Sequence, residues 1–155
     1  MNKIVEIKNS EDLFPIRHTV LWQHRAIENC GIEPDYLDST FHIGAIDESG
    51  EIVGTSTFIQ EQHAEFDNKN QYRLRAMATS PSIRGNGIGK AIIEFAITEL
   101  AKRRVELLWC DARIKACGFY ENLDFKIKGE IYEVPEIGPH KLMYKEILSY
   151  QKTKH

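Results

Sequence analysis

Apolar positions along the chain change their spacing several times, and each change marks a predicted element. Met1 to Lys8 carries Ile4, Val5 and Ile7 in a short strand-like run. Asn9 or Ser10 stands where a helix cap belongs, ahead of Leu13, Ile16, Val20 and Leu21 on one helical side, with Pro15 in the first turns. From Cys30 to Thr40 the pattern dissolves into Gly31, Pro34 and polar residues, which predicts a loop or a broken helix near an exposed surface. Phe41 to Asp47 and Glu51 to Gln62 read as strands flanking Glu48-Ser49-Gly50, a hairpin signal. His63 to Asn70 is a polar connector, and Gln71 to Thr79 alternates as a strand that Ser80-Pro81-Ser82 ends.

The period then becomes helical from about Gly87 to Arg103. Lys90, Glu94, Thr98 and Lys102 form a wet face, while Ile88, Ile92, Phe95, Ala96 and Leu100 form an apolar one. Val105 to Cys110 is a nearly continuous apolar run, as expected of a strand covered on both faces. A short helix over Lys115 to Leu123 and strands over Phe125 to Val134 and Lys141 to Leu148 complete the order β, α, β, β, β, α, β, α, β, β. That order is mixed α/β, with a mostly antiparallel sheet and one βαβ step.

Length and composition narrow the setting. A chain of 155 residues with 42% hydrophobic and 28% charged residues predicts one soluble domain spanning residues 1–155, without repeats or linkers. A formal net charge of −3 argues against a broad nucleic-acid or anionic-membrane surface. The cationic Lys102-Arg103-Arg104 is accounted for by its place at a helix C-terminus. No apolar run approaches the roughly 20 residues of a membrane span, and the first residues lack the build of a signal peptide. The cysteines Cys30, Cys110 and Cys117 show no CxxC spacing and read as reduced, mostly buried thiols, which predicts a cytoplasmic protein without a structural metal.

The strongest chemical signal is Arg84-Gly85-Asn86-Gly87-Ile88-Gly89-Lys90, lying between a predicted strand and a predicted helix. Glycines at alternate positions remove the side chains that would keep an anion off the backbone, and the following helix points its positive end at the same place. A plain glycine-rich turn is the competing reading of this run. A P-loop would need glycine at position 84 and a hydroxyl at 91, where the chain has Arg84 and Ala91. A dinucleotide fingerprint would need GxGxxG near the start of a βαβ unit, and this run reads GxGxG past the middle of the chain.

Taken with its neighbours, the run resembles the GNAT superfamily of acetyl-CoA-dependent N-acetyltransferases. The family motif Q/R-x-x-G-x-G/A aligns with Arg84 to Gly89, after Leu74-Arg75-Ala76-Met77-Ala78-Thr79 at the usual distance. Leu107 to Arg113 followed by Ala116-Cys117-Gly118-Phe119-Tyr120-Glu121-Asn122-Leu123-Asp124-Phe125 is similar to the family's A-x-x-F-Y-x-x-x-G-F module. Ile137-Gly138-Pro139-His140-Lys141-Leu142-Met143 is similar to the last strand of a subset. The resemblance runs over residues 41 to 147 and implies a GNAT-like fold, with a central, mostly antiparallel twisted sheet of about six to seven strands flanked by helices.

The resemblance further implies that backbone amides of Arg84, Gly85, Asn86, Gly87, Ile88, Gly89 and Lys90 hold the pyrophosphate of acetyl-CoA, and that Met77, Ala78 and Thr79 pair with its pantetheine arm. Met77 also reads as a plain core methionine. Tyr120 is placed near the CoA sulfur, where its phenol could protonate the departing thiolate; packing beside Phe119 is its other reading. The attacking amine must lose a proton, and His140 is the first candidate base, since an unperturbed imidazole titrates near pH 6.5; a structural histidine at a strand start is the alternative. Glu61, His63 and Glu65 are rival bases or members of a solvated loop. Arg73 and Arg75 share a strand face and could hold a substrate carboxylate or sit in ion pairs.

Two positions depart from the family pattern. Asp111 stands where related sequences often carry asparagine, which puts an amide contact to the donor in question. Asp124 replaces the usual glycine before Phe125, a position where aspartate tolerates a left-handed turn. The expected activity is transfer of an acetyl group to a primary amine by direct attack in a ternary complex, without a metal. A binding or sensory module for acyl-CoA with degenerate catalysis is the alternative. Small amines, amino acids, peptides and protein lysines all stay open as acceptors, and so does a homodimer.

Overall fold

The computed structural model describes residues 2–148, so Met1 and residues 149–155, the outermost ends of the expected domain, lie outside the described residues. Strands β1 (Lys3–Ile7), β2 (Phe41–Ile46), β3 (Ile52–Gln60), β4 (Gln71–Thr79), β5 (Leu107–Arg113), β6 (Lys126–Val134) and β7 (Gly138–Glu146) alternate with helices α1 (Phe14–Val20), α2 (Ile88–Lys102) and α3 (Cys117–Glu121) in the expected order. The strand order is β1-β2-β3-β4-β5-β7-β6. The described residues divide into two compact units: one holds residues 2–60 with Leu74–Glu99, the other holds Glu61–Arg73 with residues 100–148.

In the first unit β1 and β2 pair antiparallel from Lys3↔Ile46 to Ile7↔His42, and β2 and β3 from Phe41↔Phe58 to Ile46↔Ile52. The hairpin closes as its residues dictate, because the Asp47 carboxylate accepts from the Ser49 and Glu51 amides, each at 2.9 Å. Phe41 and Phe58, opposite one another, stack at 5.1 Å. Helix α2 lies on β3 where Gly54 removes a side chain: a Cβ there would come within 2.8 Å of Ile88 and 3.1 Å of Ile92. The buried face of α2 is Ile88, Ile92, Ile93, Ala96 and Leu100, whereas Phe95, assigned from spacing to the apolar face, is 42% exposed. Both Phe95 and Ile93 flank the predicted stripe, and the sheet selects the side occupied by Ile93.

The segment between α1 and β2 is a pair of short 3-10 turns, Ile27–Asn29 and Glu33–Tyr36, and it hangs on a buried polar network. Arg17, fully buried on α1, grips the Asp35 carboxylate with both terminal nitrogens, at 2.7 and 2.9 Å, and also donates to the Cys30 carbonyl at 3.0 Å and Thr57 Oγ1 at 2.9 Å. Asp35 accepts the Ile32 amide at 2.9 Å, and Thr57 Oγ1 lies 2.8 Å from His42 Nδ1. The expected loop is thus tied down at Cys30 and Asp35, while Tyr36 and Leu37 between these ties and β2 are exposed.

This network makes stability depend on pH. Burial alone would raise the Asp35 carboxyl, but hydrogen bonds from Arg17 and the Ile32 amide, together with Arg17's charge, outweigh it and leave the group below its ordinary value. Burial, aided by Arg17, pushes the His42 imidazole down against the pull of Asp35. A lowered histidine resists a proton that the unfolded chain accepts, so stability should begin to fall as pH drops below about 6.5. A lowered aspartate adds stability above about pH 4 that is lost as pH falls through its folded value. Urea unfolding followed from pH 7.5 to 3 should therefore show loss in two stages, with His42→Gln removing the upper one; a flat profile down to pH 5 would contradict this.

In the second unit β4 and β5 pair parallel from Gln71↔Leu107 to Arg73↔Trp109, the β-α-β step read from the sequence. Strand β7 lies between β5 and β6 and is antiparallel to both, with a slip in register between Lys128 and Tyr132 of β6. Leu107, Trp109 and Leu142 form a core with Phe66, Tyr132 and Tyr144 packed against it. The fully buried Gln71 orders the 61–70 connector, accepting the His63 amide at 2.8 Å and donating to the carbonyls of Phe66 and Asn68. Helix α3 ends where Asp124 turns left-handed at φ +69°, with the Leu123 and Phe125 amides both on the Tyr120 carbonyl. The turn expected of a glycine survives with aspartate.

Candidate active site

The glycine run lies in the first unit, between a 3-10 turn (Pro81–Ile83) and the first turn of α2. Gly85 at φ +87° and Gly87 at φ +79° take a left-handed backbone, and a Cβ built on either meets no atom within 4 Å. Gly87 accepts the first helical hydrogen bond, from the Ala91 amide at 3.0 Å. The amides of Ile88, Gly89 and Lys90 are therefore first-turn donors without intrahelical acceptors. No acidic side chain stands in that turn, so the positive end of a 15-residue helix is not neutralised by its own sequence. The space, the donors and the dipole fit a polyanion such as a pyrophosphate.

Strand β4 leads into this run with a local departure from extended geometry. Ala76 is left-handed at φ +56°, which rotates the peptide planes on either side of it just before Met77, Ala78 and Thr79. Ala78 is buried, Met77 and Thr79 are half-buried. The Arg84 guanidinium donates through Nε to the Thr79 carbonyl at 3.2 Å and so braces the strand end against the cradle. Nothing in the sequence of β4 marked Ala76; a left-handed alanine has no compositional signal.

The titratable candidates belong to the second unit. Tyr120 is 5% exposed, with its ring 5.1 Å from Phe119 and 5.3 Å from Phe125. Burial, helped by the neighbouring Cys110 and Cys117 thiols, pushes its phenol well above the usual tyrosine range, so it holds its proton at neutral pH. Burial likewise raises the Cys110 and Cys117 thiols, which keeps both from being thiolate nucleophiles. His140 is buried near the start of β7, and its Nδ1 lies 2.9 Å from the Gly138 carbonyl. A carbonyl only accepts, so Nδ1 carries the hydrogen, and in the neutral ring the lone pair is on Nε2.

Arg73 takes the ion-paired reading. It contacts Asp111 at 2.8 Å and Glu61 at 3.2 Å, and its guanidinium lies 4.9 Å from the centre of the Trp109 ring. Glu61 is thereby committed to a cation, and its carbonyl accepts the Trp109 indole N–H at 2.9 Å. His63 accepts the Glu65 amide through Nδ1 at 3.1 Å and packs edge-on against Trp109 at 4.7 Å. Asp111, a departure from the family pattern, is held between Arg73 and the Tyr132 hydroxyl. Tyr132 escaped sequence reasoning because its place depends on a register slip that no local pattern announces. Among the described residues no group of three or more His, Cys, Asp or Glu is arranged to hold a metal ion, and no helix is long and apolar enough to cross a membrane.

Comparison with known proteins adds three findings. The profile of the Acetyltransferase (GNAT) family matches residues 4–125. A Bacillus subtilis (strain 168) protein described as the uncharacterized N-acetyltransferase YitI is 34% identical over 146 residues, which is 93% of this chain and 97% of that protein. Among solved structures, an aminoglycoside 6'-N-acetyltransferase complexed with coenzyme A superposes with a TM-score of 0.75 at 18% identity, covering 94% of this chain and 97% of that one. Escherichia coli ElaA does so with a TM-score of 0.75 at 17% identity, covering 94% and 100%. At such identities the two structures speak for the fold.

Proposed function

The chain belongs to the Acetyltransferase (GNAT) family and is an N-acetyltransferase, and from that premise we propose that it moves the acetyl group of acetyl-CoA onto a primary amine by direct attack within a ternary complex. The observation that carries the donor assignment is the open cradle at Gly85 and Gly87 ahead of an acid-free helix N-terminus. In this reading the amides from Arg84 to Lys90 hold the pyrophosphate without competing side chains, and the backbone of Met77, Ala78 and Thr79 lies along the pantetheine arm. A neighbour of the same fold that is complexed with coenzyme A supports a coenzyme A thioester as the donor.

The chemistry divides between two protons and one bond. The amine nitrogen attacks the thioester carbonyl, the C–S bond breaks, and the thiolate takes a proton. Tyr120, kept protonated by burial, supplies that proton, and His140, with its Nε2 lone pair, accepts the one the amine loses. The raised Cys110 and Cys117 thiols favour this direct route over a covalent acyl-enzyme. The route uses the thioester's own leaving group and calls for no metal. Three free, buried cysteines support a cytoplasmic setting.

Thiol release measured with acetyl-CoA across small amines, amino acids and lysine peptides tests the reading. Tyr120→Phe should lower kcat about 10²-fold with little change in the KM for acetyl-CoA, because a single proton donor is lost while the cradle is untouched. An unchanged kcat would leave Tyr120 with packing alone. Tight binding of acetyl-CoA with no release for any amine at any pH would replace transfer by a binding module.

A further inference from the structure

Strand β7 carries His140 between two neighbours that face it. Tyr132 of β6 stands directly opposite on one side and Arg113 of β5 on the other. Asp111, two residues before Arg113, shares its face of the sheet and is therefore a diagonal neighbour of His140. The Tyr132 side chain crosses over β7 and donates its hydroxyl hydrogen to Asp111 on β5. Its ring lies beside the imidazole, with centroids 6.2 Å apart and planes 31° apart. The slip between Lys128 and Tyr132 interrupts the ladder on the N-terminal side of Tyr132, and the hydroxyl anchor together with packing against the Leu107, Trp109 and Leu142 core holds the ring.

The anchor is itself immobilised. The second Asp111 oxygen takes a 2.8 Å bond from Arg73, whose plane rests on Trp109 and whose other arm reaches Glu61. We infer that Tyr132, clamped by Asp111, is a positioning residue for the His140 imidazole. The inference rests on the reading of His140 as the base. Asp111 accepts from Arg73 on one oxygen and from the Tyr132 hydroxyl on the other, so the tyrosine is tied to a carboxylate that is itself held. The structure thus assigns to Asp111 the task of keeping the Tyr132 ring in place beside the imidazole.

The test reads the imidazole directly. Ring-proton NMR, with the His140 signals identified by their loss in His140→Ala, reports the setting of the imidazole in the free enzyme through chemical shifts that a neighbouring aromatic ring displaces. Asp111→Ala removes the acceptor of the Tyr132 hydroxyl and should shift the His140 signals and lower kcat with an unchanged KM for acetyl-CoA. Tyr132→Phe keeps the ring but removes its anchor, so it should shift the same signals and lower kcat in the same way. His140 signals and kcat unmoved in both folded variants overturn the inference. The base assignment fails separately, if His140→Ala retains the low-pH limb of the rate profile.

Discussion

Gly87→Trp is expected to weaken acetyl-CoA binding about 10³-fold, the equivalent of losing two or so charge-assisted hydrogen bonds of about 1.5–3 kcal/mol each. Gly87 is exposed, sits at φ +79° and has no atom within 4 Å of where a Cβ would be. An indole there enters open space, the same space the pyrophosphate needs, so it displaces ligand and leaves core packing alone. The left-handed backbone adds strain of about 1–2 kcal/mol, which the folded chain should tolerate. Gly87→Ala carries that strain without the bulk and should lose far less affinity, so the pair separates steric occlusion from backbone distortion. Calorimetric titration with acetyl-CoA reads both; undiminished affinity in the tryptophan variant would remove the cradle from the donor site.

Asp35→Ala should cost about 3–5 kcal/mol of folding stability, a large share of the 5–15 kcal/mol typical of a domain. The fully buried Arg17 would lose both of its carboxylate bonds while its charge stayed in the interior. Its Nε already has no partner in the structure, so nothing is in reserve. The Ile32 amide would be orphaned as well. Urea unfolding at pH 7.5 measures the loss, and a change below about 1 kcal/mol would show that water or the Cys30 and Thr57 contacts can carry the guanidinium alone. Arg17→Met combined with Asp35→Leu should recover much of the deficit, since replacing both members of a buried pair is far milder than stranding one. The 26–40 segment would then be held by packing in place of its polar tether.

What the sequence disclosed follows the range of the interactions involved. Strand β4 was legible at both ends because alternation from Gln71 and the break at Ser80-Pro81 are local. The turn of the glycine run was legible for the same reason: glycine at 85 and 87 permits the left-handed conformations that the backbone adopts there. The Asp124 cap could be foreseen from the tolerance of aspartate for such turns. Phe95 was misplaced because helical spacing leaves the edge of a stripe ambiguous, and only the sheet beneath α2 decides it. Arg17 and Asp35 lie 18 residues apart, on a helix and a turn, with no pattern to join them. His140 was picked out by chemistry, but its tautomer and its neighbour Tyr132 depend on strand register, which a period-two pattern does not specify across a slip.

Strand β6, the outer strand beyond β7, has a bearing on how the molecule behaves at high concentration. A regular, apolar outer strand would be a template for another extended chain. Here Lys126, Lys128, Glu130 and Glu133 are all exposed, Gly129 bends the backbone, and the ladder slips before Tyr132. A second chain laid along this margin would have to match an irregular row of hydrogen-bonding groups and desolvate charges of both signs. Exposed Ile127 and Ile131 are interrupted by that irregularity, which breaks up the short apolar stretch most able to nucleate intermolecular sheet. The slip beside Tyr132 therefore also guards the protein against fibrous self-association.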